Sequence, residues 1–130
     1  MNPKDFMKLL NETRELMIQE KYKEAITILE KLKNSEKNGE YDYNYDLVHQ
    51  LYQLDSNCKS AYHQQRVLEI IKDIPITNNS IKLNEIYKIL NSKGDLNISE
   101  EVLRREVELL ILRNLLNCKL EGAQLIFNQN

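Results

Sequence analysis

Tryptophan is absent, and only three glycines, two prolines and two cysteines occur among the 130 residues; these scarcities narrow the function classes. Cys58 and Cys118 are too few to staple a small secreted scaffold and form no C-x-x-C pair, so two ordinary reduced thiols in an intracellular chain are expected. Gly39, Gly94 and Gly122 cannot build a glycine-rich phosphate loop. His49 and His63 are far apart and lack an H-E-x-x-H motif or cysteine partners, so no metal site is expected. No apolar run approaches the roughly 18 residues of a membrane-spanning helix. The opening "MNPKDFMKLLNETREL" has no apolar h-region, so no signal peptide is expected. Excess positive charge is missing too: the net charge is −2, with 11 Lys+Arg against 13 Asp+Glu in residues 1–75 and seven against seven in 76–130. Neither part is built to neutralise phosphates. The expectation is a soluble, cytoplasmic, non-catalytic chain with no cofactor, metal or small-molecule substrate and no membrane attachment.

Helical periodicity dominates what is present. Asn2 is placed to cap a helix that Pro3 opens, with Asp5 three residues after the cap, and Phe6, Leu9, Leu10, Thr13, Leu16 and Met17 make its apolar stripe. Tyr22, Ala25, Ile26, Leu29 and Leu32 repeat the pattern after a connection short enough to force an antiparallel hairpin. "NSEKNGEYDYNYD" then reads as a loop, polar and carrying Gly39 with three alternating tyrosines. Tyr41, Tyr43 and Tyr45 either pack that loop onto its own domain or form a recognition surface. Leu47, Val48, Leu51 and Tyr52 start another helix, and Ala61, Leu68 and Ile71 continue to Pro75. Asp55 or Ser56 marks a break between two helices, or one helix runs through Cys58.

After Pro75 the pattern changes. "SIKL" alternates as a short strand, and "NEIYKILNSKG" gives a helix capped by Asn84, with Ile86, Ile89 and Leu90 inward and Gly94 at its end. Ser99 caps the next helix. Ile98 and Leu103 are spaced for a hydrophobic staple, while Leu103, Val107, Leu110 and Ile111 share a core face. Asn114 suits the left-handed position that ends a helix. Leu116, Cys118 and Leu120 then alternate into a hairpin with Glu121-Gly122 at its turn and Leu125-Ile126-Phe127 returning. Strand, helix, helix and hairpin in that order spell a winged helix.

"EKYKEAITILEKL" resembles a tetratricopeptide (TPR) repeat helix, with Tyr22, Ala25 and Ile26 at that motif's packing positions. The spacing Leu103, Val107, Leu110-Ile111, Asn114, Leu116, Cys118 and Leu120-Glu121 resembles the end of a PCI domain, the module shared by the proteasome lid, the COP9 signalosome and translation initiation factor 3. That family shows an apolar helix, a glycine and a strand ending in Ile-Asp; here Asn114 stands for the glycine and Leu120-Glu121 for Ile-Asp. PCI domains place TPR-like helices directly before the winged helix. Adaptors of ubiquitin-like ligases and of the ESCRT-II complex share the winged-helix ending.

The resemblance implies a mainly α fold, with TPR-like helical hairpins in residues 1–75 packed on a winged helix with a small antiparallel β-hairpin in 76–130. It also implies a non-catalytic scaffold or adaptor whose winged helix associates with other protein subunits, a further copy of itself included. If Leu103 and Val107 point inward, Glu101, Arg105, Glu108, Leu109 and Leu112 point outward. A groove-reading helix carries Arg, Lys, Asn or Gln there. Two acids and two leucines favour a protein partner, unless the chain's own helices cover the leucines. The alternative, a nucleic-acid-binding winged helix, rests on Arg104, Arg105 and Lys119.

Overall fold

The computed structural model describes residues 1–39, 41–75, 79–92 and 97–127. Within them the chain is mainly helical with a small antiparallel sheet: α1 (Pro3–Ile18), α2 (Tyr22–Lys37), α3 (Tyr45–Asp73), β1 (Ser80–Lys82), α4 (Leu83–Ser92), α5 (Glu100–Leu112), β2 (Cys118–Glu121) and β3 (Gln124–Phe127). None of these helices is long and apolar enough to cross a membrane. The chain divides into two units, Met1–Tyr62 and His63–Asn130, with the boundary inside α3.

In the first unit the local signals act as their chemistry dictates. The Asn2 side chain accepts the Asp5 amide at 2.8 Å, and Pro3 supplies a first-turn residue whose missing N–H costs nothing there. The other end of α1 closes with Glu20 in the left-handed region at φ 60°. The Lys21 amide donates to the Leu16 carbonyl and the Glu20 amide to that of Met17, the paired bonds of a Schellman ending. A glutamate is an unusual occupant, because its Cβ strains that conformation.

Phe6, Leu10, Ala25, Leu29, Leu32, Tyr43, Leu47, Leu51 and Cys58 form this unit's core, with Tyr22 and Ile26 packed at its edge. Two details differ from expectation. Residues 34–37 are helical, because Ser35 is buried with its hydroxyl 2.9 Å from the Tyr43 hydroxyl, and that partner offsets its weak helix propensity. No break occurs at Asp55 or Ser56, so α3 is one helix. Lys33 stands 3.2 Å from the Asp55 carboxylate and 2.9 Å from Glu30, and Lys59 lies 3.3 Å from Asp55. Asp55 is thereby engaged by lysines instead of capping a new helix. Burial opposes the Lys33 charge, but hydrogen bonds with Glu30 and Asp55 hold its ammonium well above the usual lysine range.

The second unit begins with the rest of α3, so the change of core precedes the change of composition at Pro75. Val67, Ile70 and Ile71 pack with Ile81, Ile86, Leu90, Ile98, Leu103, Val107, Leu110 and Leu125. The strands run in the order β1-β3-β2. Ile81 lies opposite Leu125, and Cys118 to Glu121 lie opposite Phe127 to Gln124. Alternation sends Ile81, Cys118 and Leu125 into the core and leaves Lys82, Lys119 and Glu121 exposed.

The hairpin turn is Gly122-Ala123, one residue later than expected, with Gly122 at φ 57° where a tight two-residue turn needs its first central residue left-handed. Helix α4 starts directly from β1 at Leu83, so Asn84 lies in its first turn and is not its cap. The expected stop at Gly94 lies outside the described residues. The Asn91 side chain accepts the Ile98 amide at 3.2 Å and donates to the Tyr87 carbonyl at 3.0 Å, tying the approach to α5 onto α4.

Candidate protein-interaction face

Helix α5 is set at both ends by residues whose roles are local. Ser99 accepts the Val102 amide at 3.2 Å. At the other end Asn114 takes φ 60°, and the Leu115 amide donates to Leu110 and that of Asn114 to Ile111, a second Schellman ending. With the helix fixed, its buried face carries Leu103, Glu106, Val107 and Leu110. Ile98 and Leu103 are both buried in the same core, as their staple spacing requires.

Glu101, Arg104, Arg105, Glu108, Leu109 and Leu112 are all exposed. Leu109 is 36% accessible and Leu112 77%, so neither is core. Leu115, not anticipated from the sequence, is also exposed, at 49% accessible, just past the helix end. It follows the left-handed residue, a position that usually packs back onto the helix. That rule would have hidden it.

The basic residues suited to a phosphate backbone are already engaged. Arg104 donates to the Gly122 carbonyl at 2.7 Å and lies 3.3 Å from Glu108. Arg105 lies 3.3 Å from Glu106, and Lys119 4.0 Å from Glu121. Each cation therefore has a carboxylate beside it, which lowers the positive potential that phosphates need.

Glu106 is the residue that sequence reasoning missed. It is fully buried and accepts from the Gln64 side-chain amide at 2.9 Å, while Arg113 donates to the Gln64 carbonyl oxygen at 2.5 Å. Its place was legible: three residues after Leu103 and four before Leu110 is the core face. The charge of glutamate argued the other way.

The tyrosine loop splits. Tyr43 is buried, its ring centroid 4.3 Å from that of Phe6, so it is core and unavailable to a partner. Tyr41 and Tyr45 are exposed, and Tyr45 stacks on His49 with centroids 6.0 Å apart.

Both thiols are free and buried. Burial, aided by the Asp55 charge, pushes Cys58 up to about 11, and burial also raises Cys118. The thiolate is the reactive form, so at pH 8 a disulfide-exchange reagent should label Cys58 roughly 100-fold more slowly in the folded chain than in the urea-unfolded chain, and Cys118 more slowly as well. Rapid two-thiol labelling without denaturant would contradict this burial.

No protein-family model, curated protein or solved structure matches the chain.

Proposed function

We propose that this chain is a non-catalytic adaptor of PCI type, working in the cytoplasm as a subunit of a larger protein assembly. In this reading the first unit is a TPR-like helical hairpin extended by α3, and β1-α4-α5-β2-β3 is a winged helix. Two features support it: a helical hairpin precedes the strand-helix-helix-hairpin sequence, and β1 joins the hairpin in one sheet.

The observation that carries the proposal is the exposure of Leu109 and Leu112 on α5 and of Leu115 just beyond its end. Removing these leucines from water against another protein surface is favourable. Polar groups with free hydrogen-bonding edges belong on that face in a DNA reader, and here the arginines lean on acids.

Three measurements test this reading. Leu109→Glu with Leu112→Glu should change folding stability by no more than about 1 kcal/mol, because both positions are on the surface. The same pair should abolish co-purification of a stoichiometric partner, identified by mass spectrometry, from the native cells. Labelled mixed-sequence duplex DNA should not bind the wild-type chain at about 50 mM salt, where phosphate-driven affinity is strongest. Micromolar DNA binding that collapses at about 200 mM salt, or unchanged partner recovery by the double variant, would overturn the proposal.

A further inference from the structure

We infer that the free edge of β2 is a two-fold contact between two copies of this chain, Lys119 of each facing Glu121 of the other. This contact uses none of the α5 leucines, and it rests on the winged-helix reading, which implies association with a further copy of the chain but names neither the edge nor the register.

With β3 in the centre, β2 pairs with β3 alone among the described residues, so its other edge presents backbone donors and acceptors. Which residues point outward follows from the hairpin. A two-residue turn is closed by a hydrogen-bonded pair, here Glu121 with Gln124, and antiparallel pairs alternate. Lys119 and Glu121 therefore bond toward β3, while Cys118 and Leu120 aim their N–H and C=O groups at the open edge. The Phe127 amide donates to Asn79, on the β1 side, as this alternation requires of the residue opposite Cys118.

Edge strands are commonly guarded by proline, a bulge or unbalanced charge. Strand β2 has no proline and no bulge, and its register is continuous over four pairs. Its one lysine is balanced two residues later by Glu121, and the two side chains are 68% and 60% accessible. This charge pattern selects both the occupant and the register.

An antiparallel copy docked with the two-fold axis at Leu120 puts Leu120 opposite its own mate in a hydrogen-bonded pair. Lys119 then stands opposite Glu121 of the other copy, twice, in the non-hydrogen-bonded positions where side chains approach most closely. Shifting the axis to Lys119 sets lysine against lysine, and shifting it to Glu121 sets glutamate against glutamate. Only the Leu120 register joins opposite charges, and it produces one continuous six-stranded antiparallel sheet.

A four-residue strand contact is short, so the dimer is weak and belongs at the low end of interface sizes. Sedimentation equilibrium at roughly 0.1–1 mM chain and low salt should show a mass rising toward twice 15.4 kDa. Lys119→Glu alone and Glu121→Lys alone each turn both cross-strand pairs repulsive, and each should raise the Kd about ten-fold or more. An equimolar mixture of the two single variants, and the double variant K119E/E121K, should each recover wild-type association, because both restore opposite charges across the axis. Both sites are exposed, and circular dichroism checks that each variant folds.

A mass of 15.4 kDa throughout the range, or single variants that dimerise like the wild type, would overturn the inference. So would a dimer lost in Leu109→Glu/Leu112→Glu but kept in Lys119→Glu, which would move the self-contact to the leucines. Loss of partner capture and loss of the dimer are thus read on different variants.

Discussion

Phe6→Ala should lower the unfolding free energy by about 3–5 kcal/mol, the range for emptying a fully buried aromatic site. Phe6 is completely inaccessible and packs against the ring of Tyr43 at 4.3 Å. The Tyr43 hydroxyl in turn bonds the Ser35 hydroxyl and the Met1 carbonyl, joining the loop before α3, the last turn of α2 and the chain start. Removing the Phe6 ring therefore empties space beneath Tyr43 as well as losing its own burial. Tyr45→Ala is the control, because an 80% accessible side chain should change stability by no more than about 0.5 kcal/mol. Urea unfolding at unchanged slope measures both. A Phe6→Ala loss below about 1 kcal/mol would mean that Tyr43 is not held as described.

The contrast between Tyr43 and Tyr45 shows where sequence reading succeeds. Segments with a long apolar period and a capping residue could be placed: Asn2, Ser99 and Asn114 act locally, and their geometry follows from side chains within three residues of the end they fix. The tyrosines and Asp55 depend on distant partners. "YDYNYD" has no period that distinguishes its three rings, and contacts with Phe6, Ser35 and Met1 make the middle one core. Asp55 looks like a helix cap until Lys33, 22 residues away, occupies its carboxylate. Thus the helices α1, α2, α4 and α5 and the three short strands were largely predictable as elements, while the extent of α3 and the change of core within it were not.

The interaction face divides the same way. Helical rotation alone turned Leu109 and Leu112 outward, and they are exposed. Whether anything covered them was a tertiary question that periodicity does not address. Leu115 lies beyond the helix, where rotation no longer applies. Pairing of Arg104 with Glu108 followed the one-turn spacing rule, but Arg105 sits beside its chain neighbour Glu106. A buried acid ahead of the outward arginine was not foreseen, since glutamate almost never goes fully inside without partners.

Those partners give the second large prediction. Gln64→Leu should cost about 2–4 kcal/mol, because it removes a donor from a fully buried carboxylate and leaves Arg113 without its acceptor. Glu106→Leu should be destabilising by a similar amount, now because the Gln64 amide loses its acceptor inside the fold. The double variant replaces both ends of the bond with apolar groups of comparable length, which buries no orphaned partner at this contact. Its loss should therefore fall short of the sum of the singles by at least about 1 kcal/mol, a coupling that a double-mutant cycle reads directly from urea midpoints. Additive losses would show that Gln64 and Glu106 contribute through packing alone. Strong coupling would instead identify the Arg113–Gln64–Glu106 chain as the polar link that holds α5 in register on the end of α3, and so holds the outward leucines where a partner can meet them.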